Sequence, residues 1–433
     1  MRLKLLTLTL ALAAISLPSH GEDLLDAYRE ARANDPVLSQ ADASRLATGE
    51  GVAQARALLL PQINASMSLN QTRGGNLVGH ARSRSINGTL SQTVLDFSKY
   101  ANLKAAHSAA DAQDELYQAA AQELYVRVAS AYFGVLTSED ELTYAKANED
   151  AFRQQYEQSD QRFKVGLSAI TDVYQAKAYY EAAKSQTIAA QNALNDAREA
   201  LAQITGKPTG DLKKLRDDLP MDPPSPADQD SWVKQALETN PNLLTQKYNV
   251  RTAEHNISAA RAGHLPTITA GITYGKDAGW SDTNVSARYR DPASTTIGLT
   301  LNVPIFSGGL TQSRVRQSIY QRDAATDAME AQRRQVVRDT LNYYRSVIAG
   351  IAQVESAKAS VESGRKALEA TRAGFEVGTQ TMTNVLLAIQ TLTSSESSYS
   401  QARHQFILNK LLLKQTAGTA DLKDIETINA LLQ

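Results

Sequence analysis

The sequence predicts a mainly α fold with a membrane β part: long coiled-coil-like helices arranged as an α-barrel, and four strands per chain of a shared β-barrel. Three observations predict it. No proline lies between Pro61 and Pro208, or after Pro304, so both spans are free of the residue that breaks helix interiors. Within them apolar residues recur every seven positions. Between them, four segments of about ten residues alternate apolar and small polar side chains.

The elements follow in chain order. Arg2 and Lys4, the apolar stretch Leu5 to Leu17, and the small residues Ser19 and Gly21 form a secretory signal over 1–21, too short and wrongly flanked for a transmembrane helix. The first strands, about 62–71 and 84–95, set Ile63, Ala65, Met67 and Leu69 against Asn64, Ser66, Ser68 and Asn70, then Ile86, Gly88 and Leu90 against Asn87, Thr89 and Ser91. A helix from about Ser98 to Phe163, roughly 100 Å long at about 1.5 Å per residue, carries Val128, Val135, Leu142, Tyr156 and Phe163 in one heptad phase. A Val165-Gly166 turn, in a hairpin at about 163–171, leads to a return helix from about Thr171 to Gly206.

The second part repeats the first. Arg56–Pro61 returns as Arg261–Pro266, an offset of 266 − 61 = 205, and Phe163–Gly166 returns as Phe375–Gly378, an offset of 378 − 166 = 212. Strands are expected at about 267–275 and 295–306. Helices are expected from about Gly309 to Phe375, with Val347, Val354, Val361, Leu368 and Phe375 in phase, and from about Thr383 to Gly418, joined by a hairpin at about 375–383. A sustained heptad implies left-handed supercoiled packing. A second seam at Val337, Tyr344 and Ile351 suits a helix wedged between two neighbours in a ring. The organisation is thus a first repeat over 22–206, a Pro- and Asp-rich linker over 207–230, a second repeat over 231–418 and a tail over 419–433; linker and tail are expected to form a girdle around the helices.

The strand faces bear on the solvent. Ser, Thr and Asn without charge fit a water-filled lumen, and Tyr274, Trp280, Tyr289 and Phe306 fit interfacial aromatics. The segments Thr72–Ser83 and Lys276–Ser294 read as outward loops. Four strands cannot close a spanning barrel, and an open edge in lipid leaves backbone groups unsatisfied. Two chains would give about eight strands and a filled barrel, three about twelve and a lumen. A soluble four-stranded sheet covered by helices is the alternative.

Composition excludes other classes. With no cysteine there are no disulfides, thiolate metal sites or cysteine nucleophile. A net charge of −1 gives no footprint for nucleic acid. The six histidines lack metal-ligand spacing, and no catalytic constellation, cofactor or metal site can be singled out. His404 reads as a surface residue, and Arg333, Arg334 and Arg338 as partners for neighbouring helices. A coiled-coil scaffold would explain the heptads but not the strands; a secreted enzyme has no motif in its favour.

The chain resembles the outer-membrane factor family over nearly its whole mature length. The residues that carry this include Asn34-Asp35-Pro36, Ala131-Tyr132-Phe133, Gln161 to Leu167, Ala169 to Val173, Gln203 to Gly206, Gly263 to Pro266, Val303-Pro304-Ile305 and Val377-Gly378-Thr379. The resemblance implies a homotrimer with a twelve-stranded barrel in outer-membrane lipid and an α-barrel crossing the periplasm. It implies an exit duct for tripartite efflux and type I secretion, working with a periplasmic adaptor and an inner-membrane pump of RND, ABC or MFS type. It also implies a tip gate that opens by helix uncoiling. Thr171 and Asp172 match the family's gate pair. Gln380 stands where the archetype has arginine, Phe375 where it has tyrosine, and Asn384 and Leu387 where it has two aspartates. Val165, Gly166, Leu167, Val377, Gly378 and Thr379 match the adaptor-contact motif.

Overall fold

The computed structural model describes residues 22–73, 80–281, 289–290 and 293–433. The signal segment 1–21 and parts of both expected loops lie outside the described residues. In chain order the elements are α1 (Leu24–Asn34), α2 (Pro36–Ala57), β1 (Gln62–Arg73), β2 (His80–Leu95), α3 (Phe97–Lys164), α4 (Ile170–Thr205), α5 (Gln229–Thr239), α6 (Pro241–Ala262), β3 (Thr267–Ser281), β4 (Tyr289–Arg290), β5 (Ser294–Asn302), α7 (Leu310–Glu376), α8 (Met382–Thr416) and α9 (Leu422–Asn429).

Helix boundaries follow cap chemistry. The Asp96 carboxylate accepts from the Ser98 and Lys99 amides and starts α3. Asp35-Pro36 and Asn240-Pro241 start α2 and α6 with the same backbone, φ −65° and ψ 118°, each with a side-chain cap and proline at the first helical position. α3 has 68 residues and α7 has 67. α3 packs on α2 and α6 toward the sheet and on α4 and α8 toward the far end; α7 packs on α6 and α8. The heptad residues Val128, Val135, Leu142, Val347, Val354 and Leu368 are buried, whereas Phe163, at the end of its series, is 40% exposed.

The strands form one antiparallel sheet. β1 pairs β2, β2 pairs β3, and both β5 and the two-residue β4 pair the same edge of β3. β1, β2 and β3 run past their expected ends, to 12, 16 and 15 residues. Segments expected as loop, Thr72–Arg73, His80–Ser83 and Lys276–Ser281, are therefore partly strand. The ladder continues because backbone pairing does not require the apolar alternation that marks a strand in the sequence. β5 instead stops at Asn302, before Pro304, which lacks the amide a ladder needs.

One face of the sheet carries Ile63, Met67, Leu69, Ile297, Leu299 and Leu301, each at least 60% exposed. β1 and β5 have no strand partner on their outer edges among the described residues. Tyr274 and Phe306 are 42% and 89% exposed; the side chains of Trp280 and Tyr289 lie outside the described residues. No described helix is long and apolar enough to cross a membrane.

Midway along the helices, chain ends and linker meet. Glu22 bridges Leu212 in parallel, and Leu215 bridges Leu432 antiparallel. Tyr132, fully buried, donates its hydroxyl to the Glu22 and Lys213 carbonyls. Two sequence readings are corrected here. His404 is 5% exposed, not a surface residue: its ring lies 5.4 Å from that of Phe133, and its Nδ1 is 2.8 Å from Thr137 Oγ1. The cause is crowding, because the end of α8 is covered on several sides and buries Arg403, Phe406 and Ile407 as well. Arg333 and Arg334 both bind Glu330, and Arg338 binds Asp339. These pairs lie within α7 and not between helices of the chain; the two to Glu330 have the i,i+3 and i,i+4 spacing of one helix surface, and Arg338 binds its sequence neighbour.

Candidate functional site

The end of the helices farthest from the sheet holds two hairpins, α3–α4 and α7–α8. Both turns are built alike. In the first, the Gly166 amide donates to the Phe163 carbonyl (2.9 Å) and the Leu167 amide to Arg162 (2.8 Å). In the second, Gly378 donates to Phe375 (3.2 Å) and Thr379 to Gly374 (2.8 Å). This crossed pair of bonds is the Schellman closure, which requires a left-handed residue just past the helix. Gly166 and Gly378 take it at φ +77° and +79°. Open space surrounds the Cβ direction of both glycines, so it is the backbone angle that favours glycine. The flanking Val165, Leu167 and Val377 are 69%, 71% and 76% exposed, an apolar rim on each turn.

Beneath the turns lies a small core of Phe152, Ala183, Leu368, Met382, Val385, Leu386 and Ile389. It fixes the faces of α4 and α8. Thr171, Asn384 and Leu387 are exposed and Asp172 half-buried. Leu387 is 47% exposed while its neighbour Leu386 is fully buried, so Leu386 packs the hairpin and Leu387 faces away from that core.

The polar contacts sort the residues expected at the gate into separate pairs. Asp172 Oδ2 accepts from Ser168 Oγ at 2.8 Å. Gln380 Oε1 accepts from Asn384 Nδ2 at 2.7 Å. Within one chain Asp172 and Gln380 do not meet. Thr171 has no side-chain hydrogen bond among the described residues. Thr379 Oγ1 donates to the Gly374 carbonyl at 3.0 Å and stiffens its turn.

The hairpins are joined by contacts that sequence reasoning missed. Gln175 and Thr383 exchange hydrogen bonds at 3.2–3.3 Å between α4 and α8. The Arg162 guanidinium lies over the Phe375 ring at 4.8 Å, from α3 to the end of α7. A cation over an aromatic face needs no hydroxyl, so Phe375 serves this contact as well as tyrosine would. Ser159, fully buried, faces Met382 Sδ at 3.8 Å. The repeat offset gave no signal for the Gln175–Thr383 pair, since it aligns Gln175 with Leu387 and Thr383 with Thr171. Nothing in the sequence marked Arg162.

Among the described residues no cluster of His, Asp and Glu could hold a metal ion. The arrangement offers a helical end with exposed polar side chains and apolar turns.

Comparison with known proteins agrees with this architecture. The outer membrane efflux protein family model matches residues 27–207 and 232–419, one match to each repeat. The outer membrane protein TolC of Vibrio cholerae is 36% identical over 423 residues, covering 97% of this chain and 96% of that protein. TolC of Escherichia coli is 33% identical over 97% of this chain and 87% of that protein. The alkaline protease secretion protein AprF of Pseudomonas aeruginosa is 28% identical over 94% of this chain and 86% of that protein. Among solved structures, the outer membrane protein VceC of Vibrio cholerae superposes with a TM-score of 0.77 at 18% identity, covering 91% of this chain and 96% of that one. The CmeC outer membrane channel of Campylobacter jejuni gives 0.78 at 17%, covering 95% and 90%. At those identities the likeness is one of fold. The chain belongs to the outer membrane efflux protein family, and it is an outer-membrane exit duct of the efflux and secretion class.

Proposed function

We propose that three copies close their sheets into one twelve-stranded barrel, and that the two repeats, 22–206 and 231–418, complete a periplasmic α-barrel girdled by the linker and tail. The observation that carries this is the open sheet. Among the described residues both edges lack partners, and from Ile63 to Leu69 on β1 and Ile297 to Leu301 on β5 one face carries exposed apolar side chains. In lipid each unpaired backbone group costs several kcal/mol, which only closure between chains removes.

The duct is passive. An adaptor binds the apolar turns Val165–Leu167 and Val377–Thr379, and an inner-membrane pump supplies the energy. Relatives are named both for protease secretion and, in CzcC of Cupriavidus metallidurans, for cobalt-zinc-cadmium resistance. Both small molecules and proteins are therefore proposed as cargo. Crosslinking in the native envelope, followed by co-purification, identifies the pump and adaptor.

The tip is the gate, formed by Thr171, Asp172, Phe375, Gln380, Asn384 and Leu387. Between neighbouring protomers, Asp172 set against Gln380, where the archetype has arginine, would make at best a hydrogen bond to a neutral donor in place of a bidentate ion pair. The closed state should be more weakly latched. Single-channel recording in a planar bilayer, beside TolC of Escherichia coli, is expected to give the higher resting conductance here; an equal or lower value would remove the weak-latch reading.

A further inference from the structure

A cleft just below the sheet has the chemistry of a phospholipid headgroup site. Leu95 pairs Ile268 across the sheet, so it shares the apolar face of Ile268, Ala270 and Ile272. Asp96 is extended, with φ −157° and ψ 100°. Side chains two apart in extended backbone share a side, so Phe97 continues the apolar side of the wall. Helical spacing adds Tyr100 and Lys104 to the same stripe. Lys99 turns the other way: its Nζ reaches Thr93 Oγ1 at 2.6 Å, and Thr93 pairs Thr269 on the polar face.

The C-terminal half of α6 and the turn after it supply the opposite wall with His255, Arg261 and Leu265, lining a cleft of about 360 Å³. Phe97 and Tyr100 are 47% and 48% exposed. Neither Lys104 nor Arg261 joins an ion pair among the described residues, although Arg127 on α3 and Arg45 on the neighbouring α2 do. Lys104 lies 104 − 95 = 9 residues after the end of β2, and Arg261 lies 267 − 261 = 6 residues before β3. At about 1.5 Å per helical residue Lys104 sits roughly 10 Å below the start of α3 at Phe97, and Arg261 lies next to the last residue of α6; long cationic side chains reach back toward the headgroup layer. α3 and α6 are flanked within the chain by α2 and α7, so assembly through those outer helices leaves the cleft uncovered. The duplication repeats the cations: Arg316 on α7 at 316 − 104 = 212, and Arg56 on α2 at 261 − 56 = 205.

We propose that this cleft binds the phosphate of an anionic phospholipid of the periplasmic leaflet, between Lys104 and Arg261, with Phe97 and Tyr100 at the acyl boundary. The proposal rests on the reading that the strands cross a bilayer. The test is native mass spectrometry of the full-length protein from phosphatidylethanolamine nanodiscs doped with phosphatidylglycerol. The wild type should retain phosphatidylglycerol in preference, and raised salt should weaken that preference. Each cation near an anionic surface contributes about fivefold, so Lys104→Gln with Arg261→Gln should cut the enrichment by about thirtyfold. Lys358→Gln, an exposed cation far along α7, should leave it unchanged. A wild type without preference or salt dependence, an assembled double variant with full enrichment, or displacement of the lipid by inorganic phosphate at equal concentration would each overturn the proposal. Release of the protein without detergent would instead overturn the membrane reading beneath it.

Discussion

Asn384 and Asp172 are equivalent residues of the two hairpins, 384 − 172 = 212 apart, and they differ by one charge. Around a three-fold axis, carboxylates at about 7 Å repel by roughly 0.6–2.4 kcal/mol per pair for effective dielectrics of about 80 down to 20, and the same ring attracts multivalent cations. Asn384→Asp should therefore strengthen block of the channel by trivalent cations; identical block in variant and wild type would show that Asn384 does not line the constriction. His404 carries a different electrostatic consequence. Burial is the main cause that lowers its pKa to about 4, with Arg403 adding to it and Asp140 opposing. The unfolded chain takes up this proton near pH 6.5, whereas the folded chain resists until about pH 4. Stability is thus full above pH 6.5 and declines as the pH falls toward 4, by on the order of 3 kcal/mol over the window. The melting midpoint should drop between pH 7 and pH 5 in the wild type, and less in His404→Gln. A variant that loses as much as the wild type would assign the acid sensitivity elsewhere.

At the scale of elements, the duplicated starts of α2 and α6 allow an internal comparison. Asp35 and Asn240 cap with the same geometry, and Asn34 and Asn240 each donate to a carbonyl at the end of a return helix, Thr205 and Thr416, at 2.8 Å. The first site adds a charge. Asp35 is 2% exposed and binds Arg127 through two bonds of 2.7 and 3.1 Å. Burial alone would raise its pKa, but the Arg127 bonds and the Leu38 amide outweigh that and hold it below the usual carboxylate range. Removing one partner of such a pair strands the other. Asp35→Ala should cost about 3 kcal/mol or more, combining the lost cap with the orphaned guanidinium. Asp35→Asn, which copies the second repeat, should keep the cap and cost less. Chemical denaturation of the assembled protein ranks the two; equal losses would mean that Arg127 finds another partner.

For the whole molecule, what the sequence made legible was what repeats locally. Freedom from proline and a heptad beat mark α3 and α7, because every turn of a long helix restates the pattern. Alternation marks the strands only where one face is apolar; beyond Asn70 and before Ile86 both faces are polar, and the ladder runs on unannounced. The contacts between chain ends and linker, such as Glu22 with Leu212, were invisible because they depend on separations that no local pattern encodes. The tip lay between these cases. Its glycines were legible by the repeat and its proposed gate positions by the family resemblance, but Arg162 over Phe375 and Gln175 against Thr383 depend on how two hairpins lean together. That division locates the docking prediction. Gly166 meets nothing within 4 Å in the direction of a Cβ, so a side chain there does not press on the chain itself. The left-handed backbone adds a strain of about 1–2 kcal/mol for any other residue, which a large trimer should tolerate. A tryptophan would instead stand out from the turn, beside Val165 and Leu167, where the adaptor contact is proposed. Gly166→Trp should leave the trimer intact on a native gel while abolishing drug efflux in cells whose own duct is deleted. An intact trimer with undiminished efflux would remove the α3–α4 turn from the docking surface.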